Sequence, residues 1–483
     1  MLKRTSLLFA QCCLLIYTLN SGASPWIGTI EPQLQHDLQT LTEWGYIEAV
    51  TTSFPVPWKG IAQQIEGLNE SELPAPAVIA LQRLKHYLQR LKNADRRSFV
   101  TLYGATDKSR FTSFDDAFAT QAKLTIDNEF YAGRWAANLS VNYLPGGEKN
   151  LDHSFVAYQF GDWNLRLGSI DQWWGPATSS SLILSNNARP IPAIALSRAE
   201  SGKSQNAWLS VLGPWYFTTQ LGQLESNRHI ADTKLLMSRF NFKPINDLEI
   251  GLSWLTMWGG LGQGNGLGDF WDALSLAAEC STYTEPCDSD DDATKGNHVV
   301  ALDVKYTAKL VNVPISIYSQ LLAETRDAQP AKLFGIASYI KGYRVYLETS
   351  DTNVGCGDNR QSANCVYEDN VYQSGLRYHN RAIGSTFDSD AKMLSLGLNK
   401  HFADGDVLEL ALKRLKLNPD MQMPSPVVVV GNTEKIHQLS GFYQTNWGKW
   451  QIKVGGQFEQ SKVDLGDSST NKLVYTQFKY AIN

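Results

Sequence analysis

Two adjacent tryptophans, Trp173 and Trp174, are followed in the same stretch of chain by Asn186, Asn187, Arg189 and Arg198. These are residue types that bind sugars. Aromatic faces cover the apolar faces of sugar rings, planar amides pair with hydroxyls, and a guanidinium fork takes a carboxylate through two hydrogen bonds. The same residues also suit packing, with the Trp pair in a membrane-interface girdle and the Asn-Asn-Ala-Arg-Pro run folded inward. Irregular polar backbone at membrane depth needs internal hydrogen-bond partners, which favours that second reading.

Other clusters offer less. Asp288, Asp290, Asp291 and Asp292 suggest calcium, but the run lacks the sixth-position Gly and terminal Glu of an EF-hand and reads better as a solvated acidic loop. Of six cysteines, Cys12 and Cys13 lie in an apolar leader, and the others form two close pairs, Cys280 with Cys287 and Cys356 with Cys365. In an oxidising compartment these are expected as two short-loop disulfides. A metal is the competing reading, but neither pair has CxxC spacing or an adjacent His. The eight His residues are scattered, and no GxSxG, HExxH or phosphate-binding loop is present, so the chain reads as non-enzymatic, with no cofactor and no metal site expected.

Such residues need a scaffold, and the composition restricts which. Charged residues are 19% of 483, aromatics 11% with 14 Trp, and the net charge is −5. That charge gives no global attraction to nucleic acid. Residues 1–23 read as a signal peptide: Lys3 and Arg4, then an apolar core from Leu7 to Leu19, then Ser21-Gly22-Ala23 as a cleavage site. Beyond it no apolar run approaches the roughly 20 residues of a spanning helix. A transmembrane β-barrel fits, because lipid-facing apolar residues alternate with lumen-facing polar ones.

Residues 24–97 carry helical spacing in three stripes: Leu34, Leu38, Leu41; Trp58, Ile61, Ile65, Leu68; and Val78, Leu81, Leu84, Leu88, Leu91. They predict a small α-helical bundle. Near Ser98 the period becomes 2, as in Trp135, Ala137, Leu139, Val141 and Tyr143 against Asn138, Ser140 and Asn142, or Leu248, Ile250, Leu252 and Trp254 against Glu249 and Ser253. About eighteen such segments fill residues 98–483, many ending in Trp, Tyr or Phe, which predicts an all-β barrel of about eighteen antiparallel strands with aromatic girdles. Gly133, Gly161, Gly342 and Gly405 mark tight periplasmic turns. Residues 171–205, 259–297 and 349–370 are expected as long extracellular loops.

The chain resembles the Wzi family of outer-membrane capsule-assembly proteins across essentially all of its mature length. The resemblance is carried by Asp37-Leu38-Gln39 through Gly45-Tyr46-Ile47 to Pro57-Trp58 and Ile61. More specific are Trp173-Trp174-Gly175-Pro176, the run from Ser181 through Asn186-Asn187-Ala188-Arg189-Pro190 to Pro192, and Leu212-Gly213-Pro214-Trp215. It implies an eighteen-stranded barrel in the outer membrane of a Gram-negative bacterium, a periplasmic helical module, and a lectin role that attaches capsular or extracellular polysaccharide to the cell surface. On this reading the partners are polysaccharide and outer-membrane lipid, and the protein is monomeric. The rival reading is a porin-like channel for sugars, since barrels of roughly sixteen to eighteen strands can leave an aqueous lumen. Whether the lumen is filled separates the two.

Overall fold

The computed structural model describes residues 26–27, 31–92, 95–204, 206, 208–274, 296–324, 329–355, 365–369, 371–422, 431–464, 466 and 468–482. The expected signal peptide, Cys280, Cys287, Cys356 and the acidic run at Asp288 to Asp292 lie outside them.

From Arg96 onward the alternating segments pair with their neighbours in one closed antiparallel barrel. Nineteen segments form the ring, and two of them, Lys149–Asn150 and Phe155–Phe160, both pair with Trp135–Tyr143 as one interrupted strand, leaving eighteen strands. The last, Ser468–Ala481, closes on the first, Arg96–Ala105, with Tyr475 opposite Ala105 and Ala481 opposite Phe99. Closure removes the unpaired edge that a bilayer would not tolerate. The pattern along each strand is inverted relative to a soluble sheet. In Trp135–Tyr143 the apolar Trp135, Leu139 and Tyr143 are exposed while Asn138, Ser140 and Asn142 are buried. Likewise Val300, Leu302 and Tyr306 face outward while Asp303 and Lys305 face inward and are buried.

The helical stripes form α1 (Leu34–Glu43), α2 (Ile61–Gly67) and α3 (Ala75–Lys92), with a single-turn helix at Glu70–Glu72. Leu34, Leu38 and Leu41 pack on Ile61, Ile65, Leu81, Leu84, Leu88 and Leu91 in a core that continues onto Tyr131, Phe155 and Ala157 of the barrel. The module therefore sits on the barrel end that carries the tight turns. Lys59 reaches Asp162 (2.6 Å), and Arg83 donates to the Gly405 carbonyl (2.7 Å). Acidic groups of α1 dock it on the barrel rim. Glu43 accepts from Lys305 (2.9 Å), Arg344 (3.2 and 3.0 Å) and Tyr339 (2.9 Å), and Asp37 accepts from Arg83 (2.9 Å) and contacts His401 Nδ1 (2.5 Å).

The lumen is filled from both ends. From the module, residues 51–54 enter it, and Arg239, itself paired with Asp303 (2.7 and 3.0 Å), donates to the Ser53 hydroxyl, the Thr52 carbonyl and the Thr52 hydroxyl. Glu249 accepts from the amides of Thr51 and Thr52 (both 2.9 Å). From the opposite end, residues 172–189 descend until Trp173 and Trp174 pair with Phe54 and Ser53. Wall residues hold this segment too: Glu348 accepts from the amides of Thr178 and Ser179 (both 2.8 Å), while Gln320 bonds the Leu182 amide (2.7 Å) and the Trp174 carbonyl (2.9 Å). The inward-pointing polar faces of the barrel thus find their partners in a plug of main chain.

One expectation is corrected here. Residues 171–205 are not a single outer loop, because Ala193–Arg198 is a barrel strand between Trp163–Gly168 and Trp215–Gln223. Residues 199–204 lie at the module end, where Glu200 bridges Lys59.

Candidate functional site

At the end opposite the helices, the plug surfaces beside a small hairpin. Arg377 pairs with Ala382 and Tyr378 with Arg381, and the two tip residues, His379 and Asn380, have φ of 50° and 61°. Positive φ at both central positions is the geometry of a type I′ turn, whose twist matches the strands it joins. Arg381 ties the hairpin to the plug by donating to the Asn187 carbonyl (2.5 Å) and side-chain oxygen (2.7 Å).

Arg189 stands next to this hairpin. Its Nε and Nη2 donate to the two carboxylate oxygens of Asp152 (2.7 and 2.9 Å), while 38% of the side chain stays exposed. A two-point pair of this kind fixes the plane of the guanidinium, and its remaining nitrogen has no partner among the described residues. The Asp152 hydrogen bond is also the main reason that the Arg189 pKa is raised. The Tyr378 and His379 rings lie 4.4 Å apart, with His379 exposed and Tyr378 buried. Partial burial, reinforced by the Arg189 charge, lowers the His379 pKa and favours the neutral ring. Beneath Arg189 is a cavity of about 20 Å³ lined by Asp171, Gln172, Asn186 and Gln220. Among the described residues the buried Asn186 side-chain oxygen has no partner, and the space suits one water. Together these groups form a rigid polar face with one held cation and an aromatic pair.

The structure separates the residues expected to act together. Arg189 and Asn186 belong to this face. Asn187 is buried, accepts from Arg381 and donates to the Ala382 carbonyl (3.3 Å), so it braces the hairpin. Trp173 and Trp174 are 4% and 0% exposed; Trp173 packs on Phe114 and Phe54, and its indole N–H goes to the Ala177 carbonyl (2.8 Å). They are plug anchors with no face left for a sugar, and they are not in a girdle either. Arg198 is at the far end, where it donates to the carbonyls of Gly202 (2.8 Å) and Trp215 (2.6 Å) and lies over the Trp215 ring. Cys365 is buried and disulfide-bonded. Asp152, Tyr378, His379 and Arg381 escaped the sequence reading, although the His-Asn pair between two short extended runs is a faint hairpin signal.

Among the described residues no cluster of three or more His, Cys, Asp and Glu side chains has metal-binding spacing. Comparison with known proteins supplies what geometry cannot. The family model for the capsule assembly protein Wzi matches residues 92–474. The chain belongs to the Wzi family. A Klebsiella pneumoniae protein described as an uncharacterized 55.8 kDa protein in the cps region is 28% identical over 300 residues, a match covering 60% of this chain. The aligned region is 56% of that relative's own length. Among solved structures, Wzi of Escherichia coli aligns with a TM-score of 0.76 at 23% identity, covering 92% of this chain and 97% of that one. It is described as an outer-membrane, carbohydrate-binding β-barrel involved in group 1 capsule assembly. At that identity the likeness speaks for the fold, and with the family it makes this Wzi-family chain an outer-membrane barrel.

Proposed function

We propose that this Wzi-family protein is a non-enzymatic, monomeric lectin that attaches capsular or extracellular polysaccharide to the cell surface. On this reading residues 1–23 are removed on export, the helical module sits in the periplasm, and the outward apolar strand faces meet lipid. The observation that carries it is the closed outer face. The lumen behind Arg189 is occupied by a plug bonded to its walls, so among the described residues a ligand at Arg189 meets a surface. A porin-like channel would need that space. A polymer repeats its units, so modest contacts at Arg189, Asn186 and the 377–382 hairpin combine through effective concentration.

The test is binding of purified polysaccharide from the producing strain to detergent-solubilised protein. The expected result is saturable binding that weakens with added salt for an acidic polymer, with Arg189→Ala losing part of both affinity and salt dependence. No binding by the wild-type protein would overturn the proposal.

A further inference from the structure

Within the expected outer loop of residues 259–297, a helix, α4 (Leu267–Leu274), lies on the outside of the barrel. The strand register shows where. In Leu248–Trp258 the residues Leu255 and Met257 face the core, so Trp254, Thr256 and Trp258 face outward. In Asn297–Leu310, Val299 and Ala301 face the core, so His298 and Val300 face outward opposite Thr256 and Trp254. Leu252, Val300 and Leu302 are exposed, as on a lipid-facing wall, yet Thr256, Trp258 and His298 on the same face are buried. They are covered by α4. Its Phe270 ring packs on Trp258 (5.2 Å), and Ala273 is buried close to Gly296, where a Cβ would stand 3.4 Å from Ala273 Cβ and 3.6 Å from Thr256 Cγ2. On the covered wall His298 Nδ1 accepts from the Trp254 indole N–H (3.2 Å) and meets the Thr256 hydroxyl (2.9 Å), so these outward polar groups are paired.

The helix has more apolar surface than this contact uses. Phe270 and Ala273 form the arc against the wall. At about 3.6 residues per turn, Leu267, Trp271 and Leu274 form a second arc about a quarter turn away, and Asp269 and Asp272 lie on the side opposite that second arc. Leu267 is 80% exposed and Trp271 65%, and Leu261 is exposed in the preceding turn. This arc adjoins the outward apolar faces of the strands. Beside it Lys234 lies over the Trp258 ring (5.2 Å) and donates to Asn265. Tryptophan and lysine together are residues of a membrane–water boundary, where the indole sits at head-group level and the ammonium reaches toward water.

We propose that α4 is an interfacial anchor whose Leu267, Trp271 and Leu274 insert among the lipids of the outer leaflet at the barrel rim, with Asp269 and Asp272 in water. Lipid is the occupant because the arc continues the apolar wall of an outer-membrane barrel. The inference rests on the helical module being periplasmic, which puts α4 at the outer end, and not on polysaccharide binding. An anchor at this rim resists vertical displacement of the barrel and of the Arg189 face with it.

The experiment uses full-length protein in phosphatidylcholine vesicles whose acyl chains are brominated near the head group, with acrylamide as the aqueous quencher. Trp271 is read as wild-type emission minus that of Trp271→Phe. The bromines should remove about half of this difference emission, since an interfacial helix reaches roughly 5–10 Å into the boundary, while acrylamide removes little. In the Trp271→Phe background, Leu267→Trp should add emission that bromine quenches, and Asp272→Trp emission that acrylamide quenches. Difference emission quenched by acrylamide and spared by bromine puts the arc in water and overturns the proposal. Emission spared by both puts the arc under protein, either residues 275–295 or a second copy of the chain, and overturns it too. Bromine must still quench the tryptophans that remain in Trp271→Phe if the wall is in the bilayer, which separates failure of the anchor from failure of the barrel reading.

Discussion

Glu43→Gln removes one negative charge from the contact that seats α1 on the barrel, leaving the shape of the side chain intact. In the wild type Glu43 is 2% exposed and faces Lys305 and Arg344, each 4% exposed, with the Tyr339 hydroxyl as a further donor. Burial alone would raise the Glu43 pKa, but Arg344 and Lys305 overcome it and hold the carboxyl well below the usual range. The substitution strands two buried cations. Breaking a buried pair from one side costs about 3–5 kcal/mol, and the retained amide oxygen argues for the lower end. About 3 kcal/mol corresponds to roughly two powers of ten in an opening equilibrium. Hydrogen exchange read by mass spectrometry is the assay, since residues 34–43 form a local unit whose opening need not unfold the barrel. Exchange there should accelerate by about a hundredfold, while peptides from the barrel strands keep their rates. Unchanged protection of residues 34–43 would refute the reasoning that charge pairing seats the module.

The same contacts respond to acid. His36 is lowered to about 3, by burial first and then by the His401 charge, and Glu43 and Asp37 are also depressed. Depressed groups stabilise above their unfolded values, so docking should weaken as pH falls below about 6.5 and further below about 4.5; limited proteolysis of the module that is equal at pH 7 and pH 4 would contradict this. In a planar bilayer the reconstituted protein should pass little steady current, because residues 51–54 and 172–189 occupy the lumen; large ohmic steps would favour the sugar-channel reading. Peptide mapping without reduction should recover Cys356 linked to Cys365 and Cys280 linked to Cys287, and four free thiols from envelope-extracted protein would reject both pairings.

The barrel was legible because its signal is local and repeated. Period-2 alternation at Trp135–Tyr143 or Leu248–Trp258 states which face meets lipid, and eighteen repeats leave little choice of architecture. The helical stripes were equally clear, apart from Val78, whose place in the core is taken by Ala77 and Ala80. The plug was not legible in detail. Its main chain is irregular and is held by wall residues far away in sequence, as Ser179 is by Glu348 and Leu182 by Gln320, and no periodicity records such pairings. The six-residue strand Ala193–Arg198 is short and flanked by loop-like residues, so from sequence it resembles part of a loop and falls with Arg189 in one segment. Burial of the tryptophans has the same origin: Trp-Trp is equally compatible with a binding platform and a packed anchor until the partner strand Ser53–Phe54 is known.

The most direct test of surface attachment is to separate cell-bound from released polysaccharide in wild-type, deletion and complemented strains of a host that makes the polymer. Total polymer should stay nearly constant while the deletion shifts it to the released fraction, and complementation should restore the bound fraction. Equal partitioning in all three strains would contradict the lectin account.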